Sequence, residues 1–165
     1  MPRASCLILA AVLAGTAAFL VATVDRLPEV VATHFDASGR PNGWMTRGGY
    51  LAFSLAFDVG LPLFVAAAVG LAPRRWPRLV NLPNRDHWLA PERRAATLDF
   101  LATHACRLGA LMALFGAAVH WLILDAHAAA APALAGAKLG WTMGAFLAAL
   151  GAWLWALYRR LGRPR

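Results

Sequence analysis

Residues Ala4–Val24 read ASCLILAAVLAGTAAFLVATV, 21 residues without a charge. About 20 apolar residues, rising 1.5 Å each in a helix, cross the ~30 Å hydrocarbon core of a bilayer. Arg3 and the small pair Ala22-Thr23 also suit the flanks of a cleaved signal peptide. A signal core is shorter, about 7–15 residues, so the stretch is expected to be a retained membrane helix.

Three further apolar runs follow outward from it. Tyr50–Ala72 is interrupted by one acid, Asp58, and by Pro62 four residues later, whose missing N–H deprives the Asp58 carbonyl of its helical partner. A third run becomes fully apolar after Arg107 and continues to Leu124, and a fourth extends from Lys138 to Tyr158. The composition agrees: 60% apolar, 15% charged and a mean hydropathy of +0.55, against about half and about a quarter in soluble domains. The expected fold is an all-α integral membrane protein with four transmembrane helices and a structured first extracytoplasmic loop. Residues 1–72 form a unit of two helices around the outer loop 25–49, 73–97 a basic cytoplasmic loop, and 98–165 a second helix pair with a basic tail. Four prolines (Pro73, Pro77, Pro83, Pro91) forbid a continuous helix through the basic loop, and Pro91 suits the first turn of the next helix. Leu98, Leu101, Ala102, Ala105 and Leu108 continue that helix amphipathically. It is then longer than the bilayer is thick.

Arginines orient the chain. Arg3, six in the middle loop and four at the end put eleven on the side of both termini, whereas Arg26, Arg40 and Arg47 put three on the other. The positive-inside rule then places both termini in the cytoplasm and the protein in the cytoplasmic (inner) membrane. Trp44, Tyr50, Trp121 and Trp141 fall at the expected outer interface, and Trp76, Trp88, Trp153, Trp155 and Tyr158 at the inner one, as aromatic belts do. The formal charge of +8 sits at the edges of the apolar runs, so the lipid bilayer is the expected partner and nucleic acid is not. Cys6 and Cys106 have no metal-site spacing and both fall near the cytoplasmic side, so a structural disulfide is not expected. No metal and no cofactor are expected.

The long polar stretch of the N-terminal half is Leu27–Arg47, LPEVVATHFDASGRPNGWMTR. Its succession Pro28, Thr33-His34-Phe35-Asp36, Ser38-Gly39, Pro41-Asn42-Gly43-Trp44 and a nearby basic residue resembles the signature of the DUF1648 family of bacterial membrane proteins. That family includes the immunity and signalling protein made against a sporulation-delaying toxin. The resemblance covers the end of the first helix, the loop and the start of the second. It departs at Ala32, where many relatives have Pro, and at Met45-Thr46-Arg47, where they have Gly-Ser-Lys. The resemblance implies a fold segment and not an activity; within it Thr33, His34, Phe35, Asp36, Asn42, Gly43 and Trp44 are the candidate ligand-binding residues of the loop.

The residues themselves add a period of two over Val31–Asp36, which places His34 and Asp36 on one side of an extended segment. Ser38-Gly39 and Pro41-Asn42-Gly43 are turn material, so a small hairpin or re-entrant loop is expected. His34 is open to two readings, a ligand or proton contact and a turn-holding hydrogen bond. Asp58, about 12 Å below the outer boundary, is an intramembrane acid and so a candidate functional group, with His120 and Lys138 as possible partners. The other reading makes it an interhelical hydrogen bond that fixes packing. Asn81–Arg94 reads as an anchor to anionic lipid or as a protein-docking surface.

No nucleophile-and-base motif is present, and the chain is expected not to be an enzyme. The leading expectation is a non-enzymatic sensing, signalling or immunity-type membrane protein that recognises an extracytoplasmic ligand through the 27–47 loop, with a peptide or protein as the candidate partner. The alternative is a small proton- or cation-coupled transporter or channel subunit using Asp58.

Overall fold

A computed structural model describes residues 2–162; Arg163 and Arg165, counted in the basic tail, lie outside the described residues. Helix α1 (Pro2–Thr23) leads through a short turn to strands β1 (Val30–Phe35) and β2 (Pro41–Thr46). Helices α2 (Arg47–Ser54) and α3 (Leu61–Gly70) follow, joined by a π-helical turn over Leu55–Gly60. The short helices α4 (Ala72–Arg75) and α5 (Arg85–Trp88) precede the two longest, α6 (Pro91–Ala126) and α7 (Gly136–Leu161). Four helical stretches are long and apolar enough to cross a membrane: Pro2–Arg26, Arg47–Arg75, Pro91–Ala126 and Gly136–Leu161. The all-α, multi-span architecture expected from the sequence is therefore present, with a two-stranded hairpin between the first two spans.

Local chemistry sets the boundaries. Thr46 caps α2 by accepting the Gly49 N–H on its hydroxyl at 3.1 Å. Pro91 begins α6 at the first helical position, where no N–H is needed. The 36 residues of α6 rise about 54 Å, and the Cys6–Cys106 bond sets the start of α1 beside a point well inside α6, so α6 runs past α1 at the basic end of the bundle. The π-turn sits immediately before Pro62, where the N–H of Leu61 reaches back to Ala56 O. A proline that cannot donate and a five-residue repeat thus disturb the same segment, the one that carries Asp58.

The closed part of the bundle is formed by α1, α3 and α6, whose contact buries Leu9, Leu13, Ala66, Cys106, Ala110 and Ala113. Small residues allow close approach where lipid supplies no hydrophobic drive between helices. Helix α7 packs more thinly, on α6. Polar contacts pin it: Lys138 holds both oxygens of Asp125 at 2.7 and 2.8 Å, and the Trp153 indole donates to the His104 carbonyl at 3.0 Å. Trp88 likewise donates to the Leu161 carbonyl at 3.0 Å.

Two expectations need correction. Cys6 and Cys106 are joined by a disulfide, with Cα atoms 5.2 Å apart. The expectation rested on a reducing cytoplasmic side; the structure buries Cys106 in the contact of α1 with α6, where Cys6 packs against it, and the faces these two helices turn to each other are not legible in the sequence. The aromatic anchors also divide. Trp44, Trp76, Trp121, Trp141, Trp155 and Tyr158 are exposed, but Tyr50 and Trp88 are buried and serve as internal hydrogen-bond ties.

Candidate functional site

The hairpin pairs antiparallel, Val30 with Thr46 and Val31 with Met45, then slips between Ala32 and His34 and again before Phe35. Such bulges re-aim side chains. Val31 and Ala32 are both buried, and Val31 and Phe35 pack over Val24, Leu27, Tyr50 and Ile123. At the tip, the Asp36 Oδ1 accepts the Ser38 N–H, the Ser38 hydroxyl and the Arg40 N–H at 2.8, 2.7 and 2.9 Å. The Ser38 hydroxyl bond, aided by the Arg40 N–H, holds the Asp36 carboxyl below the ordinary carboxylate range. Gly39 takes φ +79°, which an L side chain adopts only under strain, and its carbonyl accepts the Leu134 N–H at 3.0 Å. The hairpin is thereby seated on the connection between α6 and α7.

Beneath the hairpin, His120 joins helices to one another and His127 fastens the hairpin to the end of α6. Thr23 donates its hydroxyl to the Phe19 carbonyl at 2.6 Å and also lies 2.8 Å from the His120 Nε2. With the Thr23 proton already placed, Nε2–H must be the donor to Thr23, which leaves Nδ1 of a neutral imidazole to accept the Tyr50 hydroxyl at 2.7 Å. His120 is 1% exposed. It ties α1, α2 and α6 together. His127 does the same for the hairpin, accepting the Ala32 N–H on Nε2 at 3.1 Å while its Nδ1–H donates to the Ile123 carbonyl at 2.8 Å.

Between the hairpin, the α2 to α3 segment, α6 and the middle of α7 lies a cleft of about 540 Å3. Its walls are chiefly apolar: Phe53, Phe57, Met112, Phe115 and Phe146, with Phe115 and Phe146 stacked at 4.3 Å. Thr33 and His34 line it from the hairpin and Asp58 from the π-turn. Asp58 is seated against Gly116, where a Cβ would collide with the carboxyl group. That close approach explains the glycine. Among the described residues no cation pairs with Asp58: the four ion pairs are Asp25–Arg47, Asp99–Arg74, Asp86–Arg85 and Asp125–Lys138.

The sequence candidates therefore separate by position. Thr33, His34, Asp58 and His120 all border one cleft, with Tyr50 and Ser54 added by the structure. His34 is exposed, with Nδ1 3.1 Å from the Thr33 hydroxyl. His120 and Lys138, the possible partners of Asp58, are engaged elsewhere: the former with Thr23 and Tyr50, the latter with Asp125 and over the Trp121 ring. Phe35 packs into the hairpin core and Gly43 backs His34, where a Cβ would come within 3.0 Å of the His34 Cβ. Asp36 shapes the turn, and Asn42 and Trp44 are exposed outside the cleft lining. His127 had no sequence signal beyond its place at the end of an apolar run.

Residues 11–57 match the family model described as Domain of unknown function (DUF1648). The chain carries a DUF1648 domain. The matched segment runs from the middle of α1 through the hairpin and into the π-turn, stopping one residue before Asp58. The matched segment thus supplies the roof and part of one wall of the cleft; Asp58 and Leu61 complete that wall, and α6 and α7 supply the rest. No curated protein and no solved structure matches the chain.

Proposed function

We propose that this DUF1648-domain protein is a non-enzymatic recognition protein of the sensing, signalling or immunity type, which binds an amphiphilic ligand in the cleft below its hairpin. One observation carries the reading: a largely apolar cleft of about 540 Å3 brings hairpin residues Thr33 and His34 into the same space as Asp58. Pockets of this size with few convergent polar groups are typical of small-molecule sites. A carboxyl group without a protein cation suits a ligand that brings a proton, a hydrogen-bond donor or a positive charge.

The arginine count supports an orientation with the hairpin outside the cytoplasmic membrane and both termini inside. A cysteine introduced as Ser38→Cys, in a background with Cys6→Ser and Cys106→Ser, should react with an impermeant thiol reagent added to intact cells. Labelling only after lysis would reverse the orientation.

To test the site, amphiphiles are screened against the reconstituted protein for an increase in Tm. Binding compounds should lose their effect in Val119→Trp, which fills the cleft, and weaken in Asp58→Asn. Shifts that persist unchanged in Val119→Trp would place recognition elsewhere. The Asp58-bearing π-turn favours a second reading, a small proton- or cation-coupled carrier. In that case Asp58→Asn abolishes proton-coupled flux in proteoliposomes, whereas a pure recognition protein has no flux to lose.

A further inference from the structure

The end of the bundle opposite the hairpin holds a second cleft, of about 630 Å3, between α5, the start of α6 and the end of α7. Its basic wall is formed by Arg93, Arg159 and Arg160 beside His87, opposed by one carboxylate, Glu92. The nearby acids are committed elsewhere, Asp99 to Arg74 and Asp86 to Arg85. Among the described residues Arg93, Arg159 and Arg160 have no ion-pair partner.

This wall is built into the fold. Trp88 is 7% exposed and its indole N–H is fixed on the Leu161 carbonyl at 3.0 Å. The Arg160 guanidinium lies over the rings of Trp88 and Phe100, at 5.6 and 5.9 Å from their centroids. Stacking orients that group without neutralising its charge. Guanidinium groups match the oxygens of a phosphate in geometry as well as charge.

The cleft also opens onto an apolar surface. Trp155 lines it at 61% exposure, stacked with the equally open Tyr158, and no residue of α7 from Gly136 to Arg160 is fully buried. A soluble anion would satisfy the arginines and leave this face uncovered. A protein partner would have to strip lipid from α7. An amphiphile with an anionic head and hydrocarbon chains satisfies both surfaces at once. We propose that this cleft binds the phosphate of an anionic membrane phospholipid, with the acyl chains lying along the exposed face of α7 beside Trp155.

Full-length protein reconstituted in nanodiscs of phosphatidylcholine and phosphatidylglycerol tests this, with retained lipid read by native mass spectrometry after transfer to detergent. The expected result is selective retention of phosphatidylglycerol. The pair Arg93→Gln with Arg159→Gln should lower that retention about tenfold or more. Removing the same charge outside the cleft, by Arg75→Gln with Arg78→Gln, should leave it unchanged, and Arg93→Lys with Arg159→Lys, which keeps both charges, should preserve most of it. Equal losses in the two Gln pairs would reduce the effect to general surface charge and overturn the site, as would loss in the Lys pair equal to that in the Gln pair. Displacement of the lipid by millimolar inorganic phosphate would assign the arginines to a soluble anion and overturn the lipid.

Discussion

Helix α6 has neighbours of opposite kind. On one side α1 and α3 press against it through Leu9, Leu13, Ala66, Ala110 and Ala113, where small side chains bring the backbones together. On the other, α7 leans on it through separated points: the Lys138–Asp125 ion pair, the Phe115–Phe146 stack and the indole bonds of Trp153 and Trp88. Both lined clefts described above involve α7, one at its middle and one at its C-terminal end. A bundle with three packed helices and one tethered helix has its spare volume where the tethering is. The difference also orders the substitutions that discriminate the two sides.

The largest effect is expected at Gly109, where a Cβ would come within 2.9 Å of the Pro62 carbonyl oxygen and 3.1 Å of Leu9. Gly109→Leu should cost roughly 1–3 kcal/mol or more, the usual range for overpacking a closed interior. Gly144 on α7 has nothing within 4 Å of its ideal Cβ, so Gly144→Leu should stay within about 0.5 kcal/mol of the parent. Denaturant titration of both variants in one detergent measures the contrast. Equal destabilisation would show that α7 is as closely packed as α1.

Next in size is the His120 tie. His120→Ala removes two hydrogen bonds and strands the Tyr50 hydroxyl, for a loss of about 1–2 kcal/mol. Tyr50→Phe removes one bond and leaves His120 on Thr23, so about 0.6 kcal/mol is expected, the average for a polar bond between membrane helices. If the two variants are equally destabilised, the Thr23 to His120 link contributes nothing.

The contrast also explains what could be read in advance. Spans were legible because apolar runs appear in blocks, and the hairpin because Ser38-Gly39 and Pro41-Asn42-Gly43 are turn chemistry between alternating residues. Asp58 stood out as a lone acid in a membrane segment, and it does border a cleft with Thr33 and His34. Its partners were not legible. His120 and Asp58 are both polar and at comparable depth, but which way each faces depends on helix rotation, and a π-turn shifts that rotation by a residue. The Cys6–Cys106 bond depended on which faces α1 and α6 turn to each other. His127 and Trp88 gained their roles from loop placement, since each meets a single backbone group of a segment far away in sequence.

A smaller effect belongs to the tether itself. Lys138 and Asp125 are partly exposed, and exposed pairs contribute about 0–1 kcal/mol. Lys138→Met should change global stability little but raise amide exchange at the start of α7, where the other points of attachment are distant. Unchanged exchange there would mean that the Phe115–Phe146 stack and the indole bonds of Trp153 and Trp88 set the position of α7 without Lys138.

The smallest and most local effect is a pH response at the hairpin tip. Asp36 is held below the ordinary carboxylate range by the Ser38 hydroxyl and by the Arg40 N–H. A depressed folded value means that the turn is favoured by ionisation: the contribution is complete above roughly pH 4, the unperturbed carboxyl value, and is lost as pH falls through the lower folded value. The Ser38 and Arg40 amide resonances should therefore move together as pH falls through that lower value. Asp36→Asn keeps a carbonyl oxygen for the same N–H groups but has no charge to lose, so it should abolish the pH dependence and leave the turn largely formed. A response spread over the whole hairpin would instead mean that the tip and its seat on Leu134 loosen as one unit.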